Sequence, residues 1–350
     1  MRILLIGPYS PPRGGVQAHI TALRQFLLAQ GLQCEVVDLS PGRKTDNSGV
    51  YGPRNGLQLA RLLATLRYDI SHLHVGGNLS MRVAALGMLC GAIPRRKSIL
   101  SFHSGGYSSS PEGRAVSRNS FRGRALRQFD RVIAVNEEIA AWFRKVGVPA
   151  ERVRLILPYA LPSTPLATEL PDSLRSFIAQ HQPLLISVGG LEAEYDLPLQ
   201  IEALGAVREK FSNAGLLLVG SGSLETELRR RAAEKSYRDD IFFCGDVDRS
   251  LALRLISDSD LMLRTTLYDG DSIAVREAAH FGIPVIATDR APRPEGVRVI
   301  PAQDLELLQR ATIECLQNGR RGLPATETSD ENLGAILALY REVLGATNHE

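Results

Sequence analysis

The segment LMLRTTLYDGDSIAVREAAHFGIPVIATD, residues 261–289, has the pattern of a strand, a helix and a second strand. Apolar runs of strand length stand at its two ends. Between them, residues 272–281 have helical periodicity, and Gly282 and Pro284 mark the end of the helix. Strands joined by a helical crossover pair in parallel, and helices cover such a sheet on both faces. The segment therefore predicts an α/β fold.

The same alternation fills the rest of the chain and is interrupted once, by four prolines: Pro158, Pro162, Pro165 and Pro171. Such a concentration of prolines is typical of a linker. We predict a first domain at 1–160, a linker at 161–182 and a second domain at 183–325. A C-terminal helix within 326–350 is expected to pack back on the first domain. The predicted fold is α/β, with two doubly wound Rossmann-like domains facing a cleft.

Composition limits the possible classes of protein. The 350 residues are 44% hydrophobic and 23% charged, as in a globular protein. The longest nearly apolar run, 83–93, is too short to span a bilayer, and the N-terminus has the pattern of a strand and not of a signal peptide. The cysteines lack metal-ligand spacing and are expected to be reduced thiols in a cytoplasmic protein: Cys34, Cys90, Cys244 and Cys315.

Charge is divided unevenly along the chain. Residues 1–160 contain 22 Lys and Arg against 9 Asp and Glu, whereas the remainder contains 19 against 29. Nucleic-acid binding is not expected, because no nucleic-acid-binding motif and no interleaved aromatic residues accompany the basic residues. We predict binding to an anionic membrane surface, peripherally on the inner face, or to a diphosphate-bearing acceptor. A solvated basic face is the alternative, and five arginines carry it: Arg114, Arg118, Arg122, Arg124 and Arg127.

Two places in the first domain are candidates for ligand binding. Gly14 and Gly15 precede a helix, where small residues and free N–H groups favour an anion, although an ordinary tight turn explains the pair equally well. His103 ends a predicted strand and could bond a sugar hydroxyl or a phosphate, or carry a proton. His72 and His74 are interpreted as structural, and we find no third ligand that would complete a metal site with them.

In the second domain, three carboxylates surround the start of the helix in the opening segment. Asp269 and Glu277 could accept hydrogen bonds from sugar hydroxyls, while amides near the helix start could hold a diphosphate. Ser272 or Asp271 can cap the helix, and Asp271 is expected to do so. Gly190 ends an earlier strand and could border a nucleotide. The alternative, a metal-binding Asp-x-Asp, is disfavoured by its position three-quarters along the chain in a second domain.

These features resemble the family-4 retaining glycosyltransferases of GT-B architecture over nearly the whole chain. The family's Glu-x7-Glu element stands here as Asp269-x7-Glu277, followed by AAHFGIPVIATD. The resemblance implies that Glu277 binds the nucleotide ribose and that Asp269 binds donor-sugar hydroxyls. It places the diphosphate near the backbone of Gly270, Ser272 and Ile273.

The resemblance also implies roles for residues outside this element. Gly14 and Gly15 would close over the donor phosphates, and Gly190 would lie beside the donor. His103 would approach the donor sugar from the first domain. The expected catalytic residues are accordingly His103 and Asp269.

The chain departs from the family where a cationic pair is usual. Arg and Lys of the first strand–helix loop of the second domain are replaced by Gly190 and Tyr195. Because the diphosphate charge needs compensation, we predict Arg264 as the replacement, with Arg13 and Arg276 as further candidates.

The resemblance implies a retaining glycosyltransferase of hexosyltransferase type. Its donor would be a nucleotide sugar, UDP-sugar in preference to GDP-sugar, and its acceptor a glycan or a polyprenyl-diphosphate-linked intermediate of bacterial-type surface polysaccharide or glycolipid assembly. No cofactor and no metal are expected. The alternatives are a nucleotide-sugar 2-epimerase of the same fold and a non-catalytic sugar-nucleotide-binding protein, the latter because the cationic pair is missing.

Overall fold

The computed structural model of the chain describes residues 1–9, 15–40, 42, 48–158, 166–319 and 330–345. The chain forms two compact units, one made of 1–160 with 329–350 and the other of 161–328. Each unit contains one parallel sheet covered by helices. The predicted α/β class with two Rossmann-like domains is confirmed.

The first unit is built on a seven-stranded sheet. Its strands are β1 (Arg2–Gly7), β2 (Gln33–Asp38), β3 (Val50–Tyr51), β4 (Ile70–Val75), β5 (Lys97–Phe102), β6 (Arg131–Ala134) and β7 (Val153–Leu155). The helices that precede β7 in the chain are α1 (Gly15–Ala29), α2 (Gly56–Thr65), α3 (Met81–Ala92), α4 (Pro111–Arg114), α5 (Phe121–Gln128) and α6 (Glu137–Lys145). All neighbouring strands pair in parallel, in the order β3-β2-β1-β4-β5-β6-β7.

The second unit repeats this plan with six strands. They are β8 (Leu184–Val188), β9 (Gly215–Val219), β10 (Ile241–Gly245), β11 (Leu261–Arg264), β12 (Val285–Thr288) and β13 (Arg298–Ile300). The helices are α7 (Asp172–Gln180), α8 (Leu197–Lys210), α9 (Glu225–Ala233), α10 (Arg249–Asp258), α11 (Ile273–His280) and α12 (Leu305–Gln317). The sheet is parallel throughout, in the order β10-β9-β8-β11-β12-β13.

Strand order reverses once in each sheet, between β1 and β4 and between β8 and β11. Ligands of doubly wound sheets bind beyond the carboxyl ends of the strands at such a reversal. His74 lies near the end of β4, and Arg264 is the last residue of β11. These two strand ends are where the candidate sites are found.

The last helix, α13 (Asp330–Val343), belongs to the first unit. Its apolar side chains share one buried cluster with α1 and with alternate residues of β1. The other residues of β1 face a second cluster on the opposite side of the sheet. The alternation is a consequence of the two-residue period of a strand, so α13 covers one face of this sheet.

Tyr340 of α13 is expected to stabilise the first unit through a buried hydrogen bond. Its hydroxyl lies 2.5 Å from Nδ1 of His72, and both side chains are buried. The Tyr340→Phe substitution leaves the imidazole nitrogen without a partner and should lower the free energy of unfolding by about 1–3 kcal/mol in urea titrations. Tyr51→Phe, which removes a half-buried bond to Glu35, is the matched control. Equal losses in the two variants would contradict the prediction.

One predicted boundary is wrong. The predicted linker 161–182 contains helix α7, because Leu174 and Phe177 give it an apolar face that packs in the core of the second unit.

Residues 111–128 form two short helices, α4 and α5, and not one continuous helix. Ser120 caps the start of α5, and a Cβ at Gly123 would lie 2.1 Å from a backbone oxygen. Close backbone packing, and not periodicity, sets this break.

Among the described residues, no helix combines the length and the apolar composition that crossing a bilayer requires.

Candidate functional site

A buried ion-pair cluster lies at the end of β11. Nε of Arg264 donates to Oδ2 of Asp269 at 3.0 Å, and Nη1 of Arg293 donates to the same oxygen at 3.0 Å. Oδ1 of Asp269 accepts from the backbone N–H of Gly270 at 3.0 Å. Only 9%, 11% and 2% of the Arg264, Asp269 and Arg293 side chains are exposed. Both oxygens of Asp269 are therefore engaged by protein groups.

The charges of this cluster do not balance. Burial alone would raise the pKa of Asp269, but the charges and hydrogen bonds of Arg264 and Arg293 outweigh burial and lower that pKa to about 2. Asp269 is thus ionised at neutral pH. Since two guanidinium groups share one carboxylate, the cluster has one positive charge in excess. Such a charge at a strand end suits an anionic ligand such as a phosphate.

Two further groups fix the position of Arg264. Its Nη1 donates to the carbonyl oxygen of Val188 at 3.1 Å, and its guanidinium carbon lies 4.7 Å from the centroid of the Tyr195 ring. This is the geometry of a cation–π contact. Tyr195, which stands where the resembling family has a cation, therefore supports the arginine predicted to replace that cation.

The turn after β8 admits only a glycine beside this pair. Gly189 has φ +158°, and a Cβ there would lie 2.1 Å from the Tyr195 ring and 3.0 Å from Arg264. A side chain at Gly189 would displace one or both of them. Gly190, the predicted donor-binding glycine, follows directly in the same turn.

Helix α11 is capped by Ser272, whose hydroxyl accepts from the N–H of Val275 at 3.4 Å. The expectation that Asp271 caps this helix is wrong. Both carboxylate oxygens of Asp271 lie 2.8 Å from Nε of Arg276. Burial raises the pKa of Asp271, and the charge of Arg276 opposes that rise. A buried carboxylate needs such a partner, so Arg276 is already paired. Ile273 is the first residue of α11.

Glu277 lies in the second turn of α11 and is buried. Its Oε1 is 2.8 Å from Nη2 of Arg249, an ion-pair distance without the alignment of a hydrogen bond. Burial raises the pKa of Glu277, and Arg249 offsets part of this effect. The Arg249 side chain is 29% exposed, so it can move towards solvent if a ligand engages Glu277.

Four of the seven histidines meet in the first unit. His72 and His74 lie in β4, His103 directly follows β5, and His19 lies in α1. Nδ1 of His74 is 3.2 Å from Nε2 of His103, and the ring centroids of His72 and His74 are 4.0 Å apart. Burial lowers the pKa of His19 to about 4 and the pKa of the other three well below its usual value. The rings are therefore uncharged at neutral pH.

The expectation that no third ligand completes a metal site with His72 and His74 is wrong for His74, which lies beside His19 and His103. One nitrogen from each of His19, His74 and His103 lies within 4.8 Å of the others. His19 is 55 residues from His74 in the sequence, so no local spacing connects the two. Packing of α1 on the sheet brings them together.

Three of the predicted residues lie at or before the start of α1. Gly14 and Arg13 lie outside the described residues, and Gly15 is the first residue of α1.

Sequence reasoning missed Arg293 and Arg249. Arg293 follows the end of β12, the strand next to β11, and an inspection of cations after every strand end could have found it.

Comparisons with known proteins agree with this fold. Residues 13–158 match the model "Glycosyltransferase Family 4", and residues 173–299 match "Glycosyl transferases group 1". The structure of HepE from Anabaena in complex with UDP and glucose is similar, with a TM-score of 0.70, 16% identity and coverage of 99% of this chain and 100% of that one.

Two curated relatives differ in the share of their own length that the match spans. The amylovoran biosynthesis glycosyltransferase AmsK of Erwinia amylovora is 26% identical over 73% of this chain, and the match spans only 63% of AmsK. The phosphatidyl-myo-inositol mannosyltransferase of Mycobacterium leprae is 26% identical over 91% of this chain and 88% of that protein. The two domain matches and the fold place this chain among the GT-B glycosyltransferases, with a Glycosyltransferase Family 4 domain followed by a Glycosyl transferases group 1 domain.

Proposed function

We propose that this protein transfers a sugar from a nucleotide-diphosphate donor to a glycan or lipid-linked acceptor with retention of the anomeric configuration. The observation that carries the proposal is the cationic cluster at the strand-order reversal of the second unit, where Arg264 and Arg293 share the single carboxylate of Asp269. A diphosphate leaving group develops negative charge as the glycosidic bond breaks. Preorganised guanidinium groups stabilise that charge without reorganisation.

The cluster supplies the charge that the missing family cations would otherwise supply. Arg264 is held by Tyr195 and Val188 on one side and by Asp269 on the other. Arg293 is held by Asp269, by the carbonyl oxygen of Thr288 and by the hydroxyl of Thr266. Both guanidinium groups are thus fixed before a ligand arrives. The backbone of Ser272 and Ile273 at the start of α11 supplies N–H groups for the same diphosphate, whereas the N–H of Gly270 already donates to Asp269.

In the proposed reaction the bond between the anomeric carbon and the diphosphate oxygen breaks, and the acceptor oxygen bonds that carbon from the same face. The acceptor proton passes to the leaving diphosphate, so no protein nucleophile is needed. His103 is proposed to bond a donor-sugar hydroxyl as an uncharged group. Both carboxylate oxygens of Asp269 already accept hydrogen bonds from protein groups. A sugar hydroxyl that contacts Asp269 would therefore share an oxygen with one of these donors.

A UDP-sugar is the proposed donor, consistent with the complexes in which HepE binds UDP with glucose or UDP-glucose. A glycan or polyprenyl-diphosphate-linked acceptor is consistent with AmsK, an enzyme of amylovoran biosynthesis, and with the phosphatidyl-myo-inositol mannosyltransferase. The proposed location is the cytoplasm, with peripheral association to the inner membrane face through the basic first unit. That unit exposes Phe121 beside its arginines.

Glu277 is the proposed ribose ligand, and Glu277→Ala should weaken UDP binding by about 10- to 100-fold, measured by calorimetry. A hydrogen bond to a charged group contributes about 1.5–3 kcal/mol, and the Glu277 carboxylate would accept two such bonds from the ribose hydroxyls. Part of this gain is offset because Glu277 gives up its pairing with Arg249. Glu314→Ala is the control, since Glu314 forms a half-exposed ion pair with Arg298. An unchanged affinity for UDP in Glu277→Ala would rule out the ribose assignment.

Turnover tests the proposed function as a whole. The wild-type chain, incubated with UDP- and GDP-sugars and lipid-linked glycan acceptors, should give a product whose anomeric configuration, read by NMR, equals that of the donor. An inverted product would overturn retention, and an isomerised nucleotide sugar formed without acceptor would identify an epimerase.

A further inference from the structure

His103 is assigned to the donor sugar, but the proposed transfer reaction gives no role to His19 and His74, with which His103 forms a cluster in the first unit. His19, His74 and His103 come from three different elements, α1, β4 and the turn after β5. One nitrogen from each ring lies within 4.8 Å of the other two. His19 and His74 are buried and His103 is half-buried, and no ion pair engages them among the described residues, so the cluster offers three nitrogen ligands and no competing charge.

His19 has its ring orientation fixed in a way that suits a ligand. Its Nδ1 lies 2.6 Å from the carbonyl oxygen of Pro158. A carbonyl can only accept, so Nδ1 carries the proton and Nε2 has a free lone pair. Metal-binding histidines are commonly oriented by such a bond from the other ring nitrogen to a backbone carbonyl.

His74 offers a second unsatisfied nitrogen. Its Nε2 is buried and has no hydrogen-bond partner among the described residues, which is costly for a polar atom in the interior. Its Nδ1 is 3.2 Å from Nε2 of His103. His103 is only half-buried, so part of this residue is open to solvent.

We propose that His19, His74 and His103 form a binding site for a divalent first-row transition metal ion, with Zn²⁺ or Co²⁺ as suitable ions. Imidazole nitrogen suits these ions, whereas Mg²⁺ and Ca²⁺ prefer oxygen ligands. A point equidistant from three atoms 4.8 Å apart lies about 2.8 Å from each, compared with about 2.0–2.1 Å for a Zn–N bond. Each ring would need to move by less than about 1 Å, and a fourth position would remain for water.

Co²⁺ titration of the full chain, freed of any affinity tag and of metal, tests the site. The wild type should bind one Co²⁺ with the visible absorption of a low-coordinate nitrogen site. Because loss of a mere orienting partner costs about 10- to 100-fold in metal affinity, His74→Ala and His103→Ala should each weaken binding by more than about 100-fold. Zn²⁺ should displace Co²⁺, and Mg²⁺ should not.

His72→Gln is the matched control within the same cluster. His72 has both ring nitrogens engaged, by Tyr340 at 2.5 Å and by Ser101 at 2.8 Å, so this variant should keep its Co²⁺ affinity. Zn²⁺ should also raise the melting temperature of the wild type, but not that of His103→Ala, because a ligand of the folded state stabilises it. The proposal would be overturned if the wild type bound no Co²⁺, if His74→Ala and His103→Ala bound Co²⁺ as tightly as the wild type, or if Mg²⁺ displaced Co²⁺.

Discussion

Replacing Asp269 with alanine is expected to lower the free energy of unfolding of the second unit by about 3–5 kcal/mol, the cost of removing one partner from a buried ion pair. The side chains of Arg264 and Arg293 are both buried, and both donate to the same oxygen of Asp269. Without that carboxylate, two guanidinium groups would lie close together with no negative charge between them. Urea denaturation of the whole chain, followed by signals of the second unit, measures the loss.

Two further variants separate this effect from a general loss of packing. Glu314→Ala removes an exposed partner of Arg298 and should cost no more than about 1 kcal/mol. Adding Arg293→Met to Asp269→Ala removes one of the two uncompensated charges and should recover part of the stability. A loss in Asp269→Ala that is as small as the loss in Glu314→Ala would contradict the ion-pair interpretation.

The same carboxylate should give the second unit a characteristic acid response. The pKa of Asp269 is lowered from 3.8 to about 2 on folding, so its stabilising contribution is complete above about pH 4 and is lost as the pH falls towards 2. The stability difference between wild type and Asp269→Asn should shrink over that interval. The pKa values of Asp271 and Glu277 are raised, so their contributions to stability change with pH in the opposite direction. Both residues are present in the wild type and in Asp269→Asn, so their contributions cancel in the difference.

Much of the fold could be predicted from the sequence because buried parallel strands are apolar almost throughout. The strand at the N-terminus and the two strands within 261–289 were predicted for this reason. Helix α11 was predicted from its own signals, since Ser272 precedes it and Gly282 with Pro284 follows it. Where these local signals are weak, as in the short strands β3 and β13, the sequence did not indicate an element.

The composition of the candidate site was harder to predict, because its partners are set by strand order. Asp269 was identified from its spacing to Glu277, but Arg293 lies 24 residues further on. It reaches Asp269 only because β12 is placed beside β11 in the sheet. In the same way, His19 joins His74 and His103 because α1 packs against the first sheet. Neither relation has a local pattern in the sequence.

Arg264→Ala is expected to lower kcat by about 10²- to 10³-fold, the usual effect of removing one preorganised group that stabilises a developing negative charge. The variant should still fold, because Asp269 keeps Arg293 as its partner at 3.0 Å. The rate is measured with saturating UDP-sugar, and a thermal melt checks the fold. Arg290→Ala, which removes a half-exposed arginine paired with Asp289, is the control and should retain its activity.

Binding of two ligands tells whether Arg264 acts on the diphosphate. If it does, Arg264→Ala should weaken UDP binding and leave uridine binding unchanged, because uridine has no phosphate. Arg264→Lys should restore little, since an ammonium group cannot donate to Asp269 and Val188 in the planar geometry of a guanidinium. Equal weakening of UDP and uridine would assign Arg264 to the shape of the pocket and not to the diphosphate. Arg293 alone would then have to supply the positive charge that the missing family cations would provide.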